Sequence, residues 1–138
     1  MGFGPRNFGV PKEQIAARVT AALESVGMVD AAQAYPGHLS FGQRRRVAIA
    51  TVLACEPSIL VLDEPTSNLD PQARAELGKV TASLAVTTMM ITHDLEFAAA
   101  QCQRGIVLDA GRVVADGPLA DILSDGEFLA KHRLSVTL

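Results

Sequence analysis

The sequence contains no tryptophan and one tyrosine, and aromatic residues fill only 4% of its 138 positions. It has two cysteines, Cys55 and Cys102, in apolar or helical surroundings and without the spacing of a metal site. Buried free thiols in a reducing compartment are therefore expected, rather than a disulfide. No apolar run approaches the ~18 residues required to cross a bilayer. The greasiest stretch, Thr51 to Leu62, is broken by Glu56-Pro57. The opening MGFGPRNFGVPK lacks the apolar core of a secretory signal, so a cytosolic chain is expected. The net charge of −3 offers no electrostatic ground for nucleic acid as a main partner. There is no internal repeat, low-complexity tract or Gly/Ser linker. With 49% hydrophobic residues, the chain has material for a core.

Ile15, Val19, Leu23 and Val26 recur at helical spacing, which predicts an amphipathic helix over Lys12 to Val26 with Gly27 as its stop. Asp30 to Leu39 reads as a loop carrying Pro36-Gly37. Ser40 is a candidate N-cap for a second helix, Phe41 to Ala54, ended by Glu56-Pro57. Ile59 to Leu62 is wholly apolar, the pattern of a strand buried on both faces. Pro71 suits the first turn of a third helix reaching about Leu84. Thr87 to Thr92 predicts a second buried strand, Asp94 to Cys102 a helix, and Gly105 to Leu108 a third strand. Asp109-Ala-Gly111 turns the chain into Arg112 to Ala115, a hairpin partner. Leu119 to Leu123 and Glu127 to Arg133 are expected to be short helices. Strands alternating with helices predict an α/β domain with a largely parallel sheet. Residues 1–55, by contrast, read as wholly helical, which divides the chain into 1–55 and 56–138.

Three clusters carry chemistry. Asp63 and Glu64 end the first strand, and consecutive strand residues point to opposite faces, so the two carboxylates cannot share one task. One can face a metal and the other a water, the division that phosphoryl transfer requires. Two carboxylates closing a strand in solvent would look the same, and a motif this short is weak by itself. His93 follows its strand in the position Asp63 occupies after the first. In an open parallel sheet the carboxyl ends of the strands line the ligand crevice. A neutral imidazole there can hydrogen-bond a terminal phosphate, although a lone histidine after a strand is more often a plain loop residue. The third cluster, HLSFGQRRR from His38 to Arg46, places Ser40 and Gly42 at a helix N-terminus, where unpaired N–H groups attract anions. Three arginines there oppose the helix dipole, so a phosphate or an acidic neighbour is expected as countercharge. A basic face for nucleic acid is the alternative, but there is no second basic cluster and few aromatics.

LSFGQRRRVAIA (Leu39 to Ala50) resembles the signature motif of ATP-binding cassette (ABC) ATPases. ILVLDEPTSNLD resembles their Walker B motif and D-loop, and ITHD (Ile91 to Asp94) their switch-histidine loop. Three motifs in this order and spacing are highly specific, and the resemblance covers almost the whole chain. GFGPRNFGVPKEQIAARVTAAL and GIVLDAGRVVADGP look most like the cobalt-type or energy-coupling-factor branch. The resemblance implies a P-loop NTPase-like ABC ATPase core, here its C-terminal half, preceded by the helical signature subdomain. It implies Mg²⁺ at Asp63, Glu64 as catalytic base and His93 against the γ-phosphate. Asp70, with Ser67 and Asn68, would form a D-loop at a dimer interface. Ser40, Gly42 and Gln43 would clasp the γ-phosphate of ATP held by an opposite subunit. Phe41 departs from the commonest motif, which has glycine there.

As partners the resemblance implies a second ABC ATPase subunit (in a homo- or heterodimer), a transmembrane coupling protein and a substrate-binding membrane component, with no nucleic acid. The location implied is the cytoplasmic face of the plasma membrane. The family's phosphate loop, GxxxxGK[ST], does not occur in the 138 residues. Gly78-Lys79-Val80 comes nearest but has Ala73 where the first glycine belongs. Without that loop's nest of N–H groups the chain by itself is expected neither to hold ATP tightly nor to turn it over. A non-catalytic chain acting in trans is the alternative. A chromosome-maintenance ATPase is disfavoured, because those insert long coiled coils before the signature.

Overall fold

A computed structural model describes residues 1–134 of the chain. It divides by contacts into two units, Met1–Ile91 and Thr92–Leu138. The division at 55/56 drawn from the sequence is one of helical content; the division by contacts falls after Ile91.

The first unit opens with α1 (Phe3–Asn7), which the Gly- and Pro-rich opening had concealed, and continues into α2 (Lys12–Ser25). Gly27, at φ +64°, ends α2 as expected. Its N–H donates to the Glu24 carbonyl at 3.0 Å and that of Met28 to the Leu23 carbonyl at 2.8 Å, the paired bonds of a Schellman stop. Two 3₁₀ turns, Val29–Ala31 and Pro36–His38, lead to α3 (Phe41–Leu53). Then β1 (Ile59–Asp63), α4 (Pro71–Ser83) and β2 (Thr87–Ile91) form a β-α-β unit. The strands β1 and β2 pair in parallel, with Leu60 opposite Thr88, Val61 opposite Met89 and Asp63 opposite Ile91. This is the parallel α/β pattern expected from the alternation of strands and helices.

The core of this unit is made by one side of each element. Leu23 and Val26 of α2 and its C-cap, Ala50 of α3, Leu60 of β1 and Leu77 of α4 are all buried. Each of these leucine and valine side chains contributes about 2 kcal/mol by leaving water. The expectation that β1 is covered on both faces is corrected: Leu60 and Leu62 are buried, whereas Ile59 is 58% and Val61 55% exposed. Met89 and Ile91 of β2 are exposed likewise. An all-apolar run is compatible with one covered face or two, because periodicity then carries no signal.

The second unit contains α5 (Leu95–Gln101), β3 (Arg104–Asp109), β4 (Arg112–Pro118), α6 (Leu119–Ser124) and α7 (Gly126–Lys131). The expected hairpin is present: β3 and β4 are antiparallel, joined through Ala110 and Gly111, both at positive φ as a two-residue turn requires. Arg104 donates twice to Asp116, at 2.8 Å each, bracing the hairpin diagonally. Phe97, Leu119 and Leu129 are buried here. Both cysteines are free as expected, though half-buried rather than buried, and burial pushes the Cys102 thiol pKa up. Among the described residues no helix is long and apolar enough to cross a membrane.

Candidate functional site

Ser40 ends an extended approach (φ −61°, ψ 166°) and caps α3. Its hydroxyl accepts from the Gln43 N–H at 3.2 Å, and the Gln43 side-chain oxygen accepts from the Ser40 N–H at 2.8 Å. This capping box uses acceptors only. The Ser40 hydroxyl proton and the Gln43 side-chain NH₂ are left as donors, and the helix supplies no partner for the N–H groups of Phe41 and Gly42. The motif thus presents a ring of donors at the positive end of a dipole, a geometry suited to an anion. Gly42 also has a packing reason: a Cβ built there would lie 2.8 Å from the Cβ of Ala73 on α4.

The three arginines that oppose the dipole have separate partners. Arg44 donates to the Leu39 carbonyl at 3.1 Å. Arg46 pairs with Glu76 of α4 at 3.1 Å and reaches the Val26 carbonyl at the end of α2. Here an acidic neighbour supplies the expected countercharge. Arg45 donates to the Glu64 carbonyl at 3.5 Å. Arg44 and Arg45 also lie over the Phe41 ring, at 5.6 and 5.7 Å from its centroid.

The carboxylates stand where β1 ends. Asp63 is exposed and sits opposite Ile91 in the strand register, so the carboxyl ends of the two parallel strands are side by side. Glu64 is partly exposed and has φ +43°, a left-handed backbone uncommon outside glycine. Its N–H donates to the Ile91 carbonyl at 2.8 Å, and its carbonyl accepts from the Ser67 N–H at 3.2 Å. Pro65 and Thr66 are buried beneath this turn, and Asn68 again has positive φ. Asp70 closes the segment as N-cap of α4, accepting from the Ala73 N–H at 2.8 Å.

His93 belongs to the second unit and its residue is exposed. It is held between two local bonds: the Thr92 hydroxyl accepts from the Asp94 N–H at 3.0 Å, and the Asp94 carboxylate caps α5 through the Phe97 N–H at 2.9 Å. Within the first unit the structure joins Asp63 and Glu64 to the end of β2, and places Ser40, Gly42 and Gln43 on one helical turn. Sequence reading missed the reach of Arg45 to Glu64, because a separation of 19 positions along the chain gives no signal. It also missed a pair in the second unit, His132 Nδ1 and Asp109 Oδ2 at 2.6 Å, with the His132 ring against Phe128.

Among the described residues no group of three or more His, Cys, Asp or Glu side chains could enclose a metal ion. An exposed single carboxylate such as Asp63 fits Mg²⁺, which takes few protein ligands and completes its shell with waters and substrate phosphates.

The parallel β-α-β unit, the capped helix and the carboxylate pair at a strand end fit part of the fold of a P-loop NTPase. The family profile described as ABC transporter matches residues 5–67. A Streptomyces coelicolor protein, provisionally named an ABC transporter ATP-binding protein, is 52% identical across 99% of this chain and 52% of its own length. An energy-coupling factor transporter ATP-binding protein of Lactococcus lactis is 40% identical across 99% of this chain and 49% of its own. The solved structure of CbiO1 from Clostridium perfringens, part of the ABC transporter complex CbiONQ, superposes with a TM-score of 0.80 at 36% identity. It covers 94% of this chain and 53% of CbiO1. Over the stretch it spans, the chain is similar to ABC transporter ATP-binding proteins, energy-coupling-factor transporter proteins among them. It spans about half the length of the curated relatives it matches.

Proposed function

We propose that the chain is part of the ATP-hydrolysing subunit of an ABC-type importer of the energy-coupling-factor or cobalt type. One observation carries this reading: the capping box at Ser40 and Gln43 leaves donors facing outward, in the same unit as the Asp63-Glu64 pair at the β1 terminus. When bound, ATP with Mg²⁺ supplies the phosphoanhydride bond and the neutralisation of phosphate charge. Asp63 would hold the ion through water. Glu64 would orient a water and take its proton, and the His93 imidazole would hydrogen-bond an oxygen of the terminal phosphate. Ser40, Gly42 and Gln43 would donate to the γ-phosphate on a second ABC ATPase subunit, with Asp70, Ser67 and Asn68 at that interface. The helical stretch 1–55 would meet the transmembrane coupling protein on the cytoplasmic face of the membrane, and a separate membrane component would bind the substrate.

The names of the energy-coupling-factor relatives and of the CbiO1 complex support the importer branch. A non-catalytic chain acting in trans is the second reading. Capture tests the reading against a chromosome-maintenance role. The immobilised chain is offered detergent-solubilised energy-coupling-factor membrane proteins and, separately, duplex DNA. Retention of the membrane proteins alone is expected; retention of DNA alone would overturn the proposal.

A further inference from the structure

Among the three adjacent arginines of α3, Arg45 differs in where its charge goes. Arg46 pairs with Glu76, and Arg44 is exposed. Arg45 turns inward: its Nη2 donates to the Glu64 carbonyl at 3.5 Å, and its Nε is buried with no hydrogen-bond partner among the described residues. Its guanidinium stands 5.7 Å from the centre of the Phe41 ring, one helical turn earlier on the same face. A buried unpaired donor is costly, and native proteins keep few of them. Guanidinium bears this better than ammonium would, because its charge is delocalised and weakly hydrated.

The receiving end of the contact is also unusual. Glu64 has φ +43°, and left-handed backbone at a non-glycine residue persists where surrounding bonds impose it. Three bonds do so here. The Glu64 N–H is tied to the Ile91 carbonyl of β2 at 2.8 Å, and its carbonyl receives both the Ser67 N–H at 3.2 Å and Arg45. The peptide groups on either side of the Glu64 Cα are thus anchored to different elements. Rotation about that Cα, which aims the carboxylate, is thereby limited.

We propose that Arg45, propped by Phe41, is a positioning residue that ties the signature helix to the Glu64 backbone and keeps its carboxylate aimed. The consequence for catalysis rests on Glu64 being the base; the positioning itself does not, and it is tested without nucleotide.

The experiment is solution NMR on the isotopically labelled 138-residue chain. The Glu64 Cβ shift and a strong intraresidue HN–Hα contact report the left-handed backbone. Arg45→Met keeps the stem and removes the guanidinium. It is expected to move the Glu64 signature out of the left-handed range and to speed exchange of the Glu64 amide by about tenfold. The resonances of Leu23 and Ala50 should stay in place. Arg45→Lys should restore part of the signature. A role confined to packing would lower the unfolding midpoint and leave the Glu64 signature unchanged, and that result overturns the proposal. Should Arg45→Met fail to fold, Phe41→Leu gives the same readout at a side chain 43% exposed. A loosened Glu64 signature there supports the proposal, and an unchanged one sinks it. Loss of membrane-protein capture with the signature intact would count against the importer reading alone.

Discussion

Gly42 and Ala73 bring α3 and α4 together with no room for a second methyl: the built Cβ–Cβ distance is 2.8 Å, and the Ala73 atom cannot swing aside. The second glycine of the signature is therefore required by helix packing inside one subunit, independently of any phosphate. Gly42→Ala gains up to about 1 kcal/mol of helix propensity but incurs an overpacking cost of about 1–3 kcal/mol. A net loss of about 1 kcal/mol is expected in urea unfolding. Adding Ala73→Gly should recover most of the clash cost, a coupling that a double-mutant cycle measures directly.

The capping box lets capping be separated from anion binding at Ser40. Ser40→Ala should cost about 1 kcal/mol in unfolding free energy. Ser40→Asp keeps a good cap and suits the helix dipole, so stability should hold. The same change puts a fixed negative charge where a phosphate is proposed to dock. ATP-dependent association with a complete energy-coupling-factor ATPase, followed by light scattering, should then fall at least about tenfold, against 1.4 kcal/mol per decade of affinity. If Ser40→Asp associates as the parent does, the donors at this helix end do not meet phosphate.

In the second unit a pH dependence is built into the contact between α7 and the hairpin turn. The hydrogen bond from His132 is the largest influence on Asp109 and holds its carboxyl below the ordinary aspartate range. Partial desolvation opposes this, while the charges of His132 and Arg133 and the Ala110 N–H assist it. A folded-state pKa that is depressed contributes stability above the unfolded value, about 3.9 for aspartate, and loses it as pH falls through the lower folded value. The contact should therefore persist through mildly acidic pH and fail only below that range. His132→Ala should raise the Asp109 midpoint toward its ordinary value in a carboxyl ¹³C titration. The Asp116 midpoint, lowered first by its hydrogen bond from Arg104, should not move.

What the sequence made legible follows from how local each signal is. The Ser40 cap, the Gly27 stop, Pro71 at the start of α4 and the Asp109-to-Arg112 turn depend on neighbours within a few residues, and the structure has each where the pattern put it. α1 was not assigned as a separate helix because Gly2, Gly4 and Pro5 have low helix propensity, although proline is tolerated in a first helical turn. The one-sided burial of β1 was hidden because Ile59 to Leu62 is apolar at every position. Arg45 to Glu64 and His132 to Asp109 join residues 19 and 23 apart, and no local rule ranks one arginine of three above the others. The candidate site residues came from motif order; their contacts needed the fold.

The carboxylate pair supplies the last prediction, which concerns what Glu64 can do without the rest of a phosphate site. Asp63 offers one exposed carboxylate, and among the described residues no larger cluster could hold an ion. Mg²⁺ loses its water reluctantly and shares phosphate ligands, so Asp63 alone should bind it weakly. No GxxxxGK[ST] nest is present in the 138 residues to cradle the β- and γ-phosphates. The purified chain by itself is therefore expected to show no ATP turnover above that of its Glu64→Gln variant, measured by released phosphate. Mixed with a complete energy-coupling-factor ATPase carrying its own Glu-to-Gln change, the parent chain should affect phosphate release only through association. Steady hydrolysis by the chain alone, abolished by Glu64→Gln, would show that these residues assemble a working site unaided.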